Sequence, residues 1–312
     1  MHYQLRALEP EAVSPALAEM TFPRFRRFLS PCLAPEAVGV ILERGSADPG
    51  LPLGMALGHA GSAGSGATGS EGELLSIFIR PRHRGLGYGA RLLGGLEAAL
   101  RARGCPGMST VYMTRIPGLA AFEALLQSRG WSTPLRRMRV FRTDTDRLRN
   151  AAWMPLFHSL PDGIQIVRWD SLEARVRDAL RSRLSRPDFP PDVSPFFYEG
   201  LGIDGSPAEP ELSFACRRGD CVLGWHLAHR MASNQVRFSC SYVLPEAQAQ
   251  VPLLALWNQA FRVLVQGKTS EVSWAIAPHH DAMERFTERL LGPYVTHMDE
   301  TRGARKPLDC DC

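Results

Sequence analysis

The chain has 312 residues, of which 45% are hydrophobic and 22% charged, and its formal net charge is +4. That balance supports an ordinary buried core, and no apolar run reaches the length of about 18 residues that a membrane-spanning helix needs. The seven cysteines are odd in number and show no CxxC spacing, so neither a disulfide framework nor a zinc site is expected. The first ten residues lack the charged start and apolar core of a signal peptide, and the expected location is the cytoplasm.

Residues 3 to 8, Tyr-Gln-Leu-Arg-Ala-Leu, open the chain as a strand ahead of a helix-like stretch. Leu53-Gly54-Met55-Ala56-Leu57-Gly58-His59 reads as a later strand, and residues 58 to 72 are a Gly/Ser/Ala-rich insert expected to form a flexible hairpin loop. The densest information follows. An apolar run, Leu74-Leu75-Ser76-Ile77-Phe78-Ile79, ends at Pro81. A glycine-rich loop, Arg84-Gly85-Leu86-Gly87-Tyr88-Gly89, comes next, and a helix is predicted from about Tyr88, with Leu92, Leu93, Leu96, Ala99 and Leu100 at helical spacing.

Glycines at 85, 87 and 89 allow positive φ and bring backbone N–H groups close to an anion, and the helix start adds its positive end to the same field. Arg82 and Arg84 supply full charges beside these dipoles. The pattern therefore fits a site for a phosphorylated carrier. A dinucleotide site is disfavoured, because no βαβ unit with an acidic residue about twenty positions on follows. A P-loop is disfavoured as well, because no Gly-Lys-Ser/Thr follows.

The strand, Pro81, the loop and Leu92-Leu93 resemble the acyl-CoA signature of the GNAT (Gcn5-related N-acetyltransferase) superfamily, Gln/Arg-x-x-Gly-x-Gly/Ala, which Arg84, Gly87 and Gly89 match. Val111-Tyr112-Met113 reads as the next strand, and residues 120 to 131, ending Gly-Trp, resemble the helix that follows in that family. The resemblance implies a slot where the strand before the loop splays from the strand at 110 to 115. Pantetheine would pair with the backbone of Ile77, Phe78 and Ile79, and the pyrophosphate would lie on the amides of Gly85, Leu86, Gly87, Tyr88, Gly89 and Ala90 beside Arg84. Acetyl-CoA or another acyl-CoA is the implied co-substrate, with no metal.

Two catalytic candidates stand beside the cofactor loop. Glu73 occupies the strand where some family members carry a glutamate base. It would need burial to raise its pKa from near 4.3, and the competing reading is a solvated glutamate closing a turn. Many members use a tyrosine acid four positions before the Gly-aromatic pair, where this chain has Leu126. Tyr112 is the substitute candidate, its competing reading a core ring with its hydroxyl at the edge.

The second half repeats the order of the first. Ile164-Gln165-Ile166-Val167-Arg168-Trp169 parallels the opening strand, Leu223 to His229 parallels Leu53 to His59, and residues 236 to 245 parallel the strand that ends at Pro81. Gln248 stands where Arg84 does, but no glycine follows Pro245 in the loop. The second half is expected to have lost the acyl-CoA site and to act as scaffold or as a wall of the acceptor pocket; catalysis with another donor is the third reading. His279-His280 reads as a loop rather than a ligand pair, and Cys310-Asp311-Cys312 as a frayed tail.

The expected fold is α/β (α+β): two GNAT-like domains, each a mixed, largely antiparallel sheet flanked by helices. The expected boundaries are 1–148 for the acyl-CoA domain, 149–162 for a linker, 163–309 for the degenerate copy and 310–312 for the tail. The implied function is acyl-CoA-dependent N-acyltransfer, acetyl by family, to a primary amine of a small metabolite or peptide side chain. Fatty-acyl transfer to lysine or ornithine in a biosynthetic peptide is one alternative, and non-catalytic acyl-CoA binding or sensing is another. The arginines at 136, 137, 139 and 142 alternate with other residues as a basic stripe, read as a solvated edge or a surface for an acidic acceptor rather than for nucleic acid. The expected state is a monomer or homodimer.

Overall fold

The structure is a computed structural model and describes residues 3–9, 13–29, 33–44, 52–61, 71–149, 151–153, 160–187, 189–200, 206–267 and 270–308. Most of the Gly/Ser/Ala insert, much of the expected linker and the Cys310–Cys312 tail lie outside the described residues. In chain order the elements are β1 (Tyr3–Ala7), α1 (Pro15–Ala18), β2 (Ala37–Arg44), β3 (Gly54–Ala60), β4 (Gly72–Ile79), α2 (Tyr88–Ala102), β5 (Gly107–Met113) and α3 (Leu119–Ser128). There follow β6 (Leu135–Asp144), α4 (Thr145–Arg149), β7 (Ile164–Arg168), α5 (Ala174–Leu184), β8 (Phe214–Arg218), β9 (Cys221–Ala232) and β10 (Gln235–Val243). The last are α6 (Leu253–Gln266), β11 (Glu271–Ile276), α7 (Asp281–Phe286) and β12 (His297–Pro307).

Two compact units divide the chain: Met1–Arg137 with Glu300–Cys312, and Met138–Asp299. In the first, the strand order is β1-β2-β3-β4-β5-β12. Pairing is antiparallel except between β4 and β5. Leu92, Leu93, Leu96 and Leu100 put the apolar stripe of α2 on one sheet face, against Val40, Ala56, Leu74 and Met108. The other face is covered by Leu17, Met20, Phe28 and Leu29, which pack on Ile41, Met55, Leu57 and Leu75.

The second unit repeats this plan in the order β6-β11-β10-β9-β8-β7, again with one parallel pair, β10 and β11. α6 buries Leu254, Leu256, Trp257, Ala260, Phe261 and Leu264 on one face. α5 and the loop around Phe189 and Phe196 cover the other, against Trp225 and Leu227.

The units do not follow the expected boundaries. Residues 139 to 144 of β6 pair with β11, in the second unit, and residues 301 to 307 of β12 pair with β5, in the first. The sequence boundaries of 148 and 309 assigned each strand to the half that precedes it in the chain, whereas each completes the sheet of the other half. Strand partners are set by register and non-local pairing, which a linear reading does not contain. The basic stripe is also partly spent inside its own unit: Arg139 Nη1 lies 2.5 Å from Glu284 and 2.6 Å from Glu288, and Arg142 lies 3.7 Å from Glu271.

Candidate functional site

β4 is aimed by its two neighbours. With β3 it pairs along its length to Ile79↔Gly54, but the register shifts between Leu57 and Gly58, leaving Leu75 as an extra residue on β4. This β-bulge shifts the alternation of the strand, so that Ile77 and Ile79 share the core of Leu74, while Phe78 shares that of Leu75. With β5 it pairs in parallel only at Gly72↔Met108 and Glu73↔Ser109. Thr110 Oγ1 donates to Leu74 O at 3.0 Å, and beyond that point the strands part. Ile77, Phe78 and Ile79 are thus held by β3 on one edge and border the opening on the other.

After β4, Pro81–His83 forms a 3-10 turn, and Gly85 and Gly87 take φ of +78° and +76°. A Cβ at either glycine would meet nothing within 4 Å, so the need for glycine is conformational rather than steric. Gly87 is the N-cap of α2 and has no side chain with which to cap it. The first amides of a helix have no acceptor within it. The first backbone bond of this helix runs from Arg91 N to Gly87 O, and among the described residues the amides of 85 to 90 have no acceptor. They form a donor array at the mouth of the slot, at the positive end of a 15-residue helix.

The side chains of the loop have different duties. Arg84 Nε donates to Ile79 O at 3.0 Å, tying the loop back onto the strand end. Leu86 is exposed. Tyr88 turns inward and stacks edge-on against Tyr3, with centroids 5.0 Å apart, so only its backbone is available to a ligand. Gly89 lies in the first turn of α2, where a Cβ would come within 3.3 Å of Leu125 on α3. Its lack of a side chain serves helix packing as well as access.

The structure does not bring the two catalytic candidates together. Glu73 is half-buried opposite His59, on the face covered by residues 17 to 29. Burial raises its carboxyl above the usual range, against the opposing influence of His59 and Arg24. Tyr112 points to the other face, into the core with α2 and α3. Its ring meets Phe122 edge-on at 4.9 Å, and its hydroxyl donates to Glu123 Oε1 at 2.9 Å. Glu123 also accepts from Arg302 Nη1 at 3.1 Å. Burial and the Glu123 bond push the Tyr112 hydroxyl well above its ordinary pKa, so its proton is committed to structure. Leu126, where a tyrosine acid would stand, is fully buried.

Sequence reasoning missed Glu97. It lies on the buried stripe of α2, between Leu93 and Leu100, and is 3% exposed. Its carboxylate accepts from Lys306 Nζ at 2.8 Å, Arg129 Nη2 at 2.7 Å and Trp131 Nε1 at 3.1 Å. Burial pushes its pKa up, and these three donors more than reverse that, holding it below the usual range. The Gly-Trp pair now has a physical reason. Gly130, at φ +74°, ends α3 in a Schellman turn, with Trp131 N on Leu126 O and Gly130 N on Gln127 O, which delivers the indole to Glu97. The signal was available in the sequence, as a charged residue on an apolar helical stripe.

In the second unit β10 and β11 pair in parallel from Gln235↔Glu271 to Phe238↔Trp274 and then part, with a bulge that leaves Ser239 unpaired. A cavity of about 570 Å³ opens there, lined by Ser239, Ser241, Trp257, Ala275, Tyr198 and Gln248, among others. Asp192, His279 and His280 also line it. The loop beyond, Pro245–Ala247, has no positive-φ glycine, and α6 is capped by Pro252, which has no N–H. Its amides are bonded internally, Ala247 N to Leu244 O and Val251 N to Ala247 O, both at 2.8 to 2.9 Å. The opposite number of Glu73 is Arg237, placed across from His229 as Glu73 is placed across from His59.

Comparison with known proteins fits this division. Residues 5–126 match the acetyltransferase (GNAT) family. A tandem GNAT protein from the clavulanic acid biosynthesis pathway superposes over 99% of this chain and 100% of its own, with TM-score 0.67 and 13% identity. A GCN5-related N-acetyltransferase from Sphaerobacter thermophilus covers 99% of this chain and 97% of its own, with TM-score 0.64 and 17% identity. A glucosamine N-acetyltransferase region of a fungal multi-domain β-N-acetylglucosaminidase aligns with 98% of this chain over 38% of its own, with TM-score 0.66 and 12% identity. No curated protein sequence matches the chain. Residues 5–126 thus carry the sequence signature of the acetyltransferase (GNAT) family, and the fold of the chain is similar over nearly its whole length to that of a tandem GNAT protein.

Proposed function

We propose that the first unit is an acyl-CoA-dependent N-acyltransferase, with an acetyl-type donor and a primary amine on a small metabolite or peptide side chain as acceptor. The observation that carries this reading is the run of six backbone amides, 85 to 90, without acceptors among the described residues at the mouth of the parting strands. Pyrophosphate oxygens accept from these amides, and pantetheine amides pair with the open edge of Ile77 to Ile79. The thioester carbonyl then lies near the vertex between β4 and β5. The acceptor nitrogen attacks that carbon, a C–N bond forms, and collapse of the adduct breaks the C–S bond and releases CoA as thiolate.

Glu73 receives the proton that the nitrogen loses. Its raised pKa brings it nearer to neutral pH, where a carboxylate is a more effective base. Most of the enzyme's work is holding two reactants in register. Tyr112 takes no part in proton transfer, because its hydroxyl is bound to Glu123 on the opposite sheet face.

Native mass spectrometry with acyl-CoAs from acetyl to palmitoyl tests the binding, and release of free CoA with a panel of amines tests the turnover. One donor retained per chain is expected, with Glu73→Gln keeping retention and losing about 10²- to 10⁴-fold in turnover. Absence of retention sinks the proposal. A second reading, a non-catalytic acyl-CoA binder, draws on Leu126 and on the commitment of Tyr112; retention with no CoA release from any amine would establish it.

A further inference from the structure

Asp192, His279 and His280 meet at the cavity of the second unit, although nearly ninety residues separate the first from the others. Both imidazoles aim Nε2 at one oxygen: His279 is 2.9 Å and His280 3.0 Å from Asp192 Oδ2. One donor atom from each of the three lies within 4.8 Å of the others. Two imidazoles and one carboxylate are a donor set that suits zinc and its divalent neighbours, with positions left open for further ligands.

Asp192 and His280 are held from behind. The Asp192 carbonyl accepts from Tyr198 Oη at 2.6 Å, and the next carbonyl, of Val193, accepts from Trp225 Nε1 at 3.0 Å and Cys240 Sγ at 3.2 Å. His280 is fixed by its own N–H on Ala277 O and by its position as N-cap of α7. The donors thus stand on backbone whose place is set by other bonds, which is the requirement for a preorganised site. Donors around a tetrahedral ion at about 2.1 Å stand roughly 3.4 Å apart. The observed N–O distances need to open by only a few tenths of an ångström.

We propose that Asp192, His279 and His280 form a binding site for a divalent transition-metal ion, with its open coordination positions facing the cavity of the second unit. The proposal does not rest on acyltransfer by the first unit. It accounts for a contrast within the molecule: the loop at 245 to 252 offers no amide array to an anion, and a cation at this place supplies the positive charge that the array supplies in the first unit. The ligand class is an anionic oxygen donor, such as a carboxylate.

Titration of the whole chain with Co²⁺ reads the site directly. The expected result is one ion per chain with visible d–d bands and without the near-ultraviolet thiolate charge transfer that Cys310 and Cys312 would produce. The bands should vanish in Asp192→Ala and weaken at least tenfold in affinity in His279→Ala. The second variant alters a side chain that is mostly exposed and guards against misreading a folding defect. Acetate should shift the bands, since it enters an open position. No d–d bands, or bands that survive Asp192→Ala in a folded protein, would overturn the site, and bands unmoved by acetate would overturn the open face.

Discussion

The loops at 80 to 90 and 244 to 253 begin alike and end differently. In each, a bulged strand leaves its parallel neighbour, a proline opens a 3-10 turn, and a long side chain folds back onto the last strand carbonyl: Arg84 Nε on Ile79 O at 3.0 Å, Gln248 Nε2 on Val243 O at 3.1 Å. The difference begins after that residue. Two glycines at positive φ leave six amides of the first loop without an acceptor among the described residues, whereas the second turns its amides on its own carbonyls and closes with Pro252. The splay of the strands is therefore independent of the amide array. A fold can lack the array and keep its slot.

The helices that follow differ in the same way. By the register that aligns Arg84 with Gln248, Leu92 and Leu93 correspond to Leu256 and Trp257, and Glu97 to Phe261, all of them buried. One unit buries a carboxylate with three donors where the other buries a ring.

Removing residues 300 to 312 breaks the comparison most severely. The first unit loses β12, with Ala304 and Leu308 from its core and Lys306 from Glu97, while the second keeps all six of its strands. Acyl-CoA binding should be lost, and calorimetry should show the melting of one unit only; two intact transitions would refute the division.

Glu97→Ala should cost about 3 kcal/mol by chemical denaturation, because it strands partly buried cations. Glu97→Phe tests whether the first unit tolerates the choice made by the second. The folded pKa of Glu97 is depressed, so its contribution is present above the ordinary glutamate range and is lost as pH falls through the folded value. The wild type should lose stability in that acid window, and the alanine variant should lose less.

A narrower cut is Gly87→Val, which forces a β-branched residue toward φ +76°. Strain of roughly 1–3 kcal/mol predicts about 10- to 100-fold weaker acyl-CoA binding by titration calorimetry. Ala249→Val in the other loop should leave that affinity unchanged. The mildest change is Arg84→Gln, which copies Gln248. It should keep the bond to Ile79 O and weaken donor binding only a few-fold, about 1 kcal/mol, through the lost charge; a loss as large as that of Gly87→Val would mean that the amides are not the main holders.

The loop could be read from sequence because its determinants are local: an apolar strand, a proline, glycines and a helical stripe within about twenty residues. Glu73 and Tyr112 could be placed on strands, but not on opposite faces, because that follows from the pairing of Glu73 with Ser109, three residues before Tyr112, and the register between two strands is not written in either one. The exchange of β6 and β12 was illegible, since nothing in residues 135 to 144 or 297 to 307 names a partner strand. The pairing of His279 and His280 with Asp192 was hidden for the same reason. The histidines were visible as neighbours, but the carboxylate arrives from a turn in a different part of the fold.

The placement of β12 also orders events during synthesis. The entire second unit is translated between β5 and the strand that pairs with it, so the first unit waits on the ribosome with an open sheet edge. The second unit has every strand it needs as soon as Asp299 has emerged. The first unit starts before the second and is completed after it, and its glycine loop gains a completed sheet only when residues 301 to 307 have emerged.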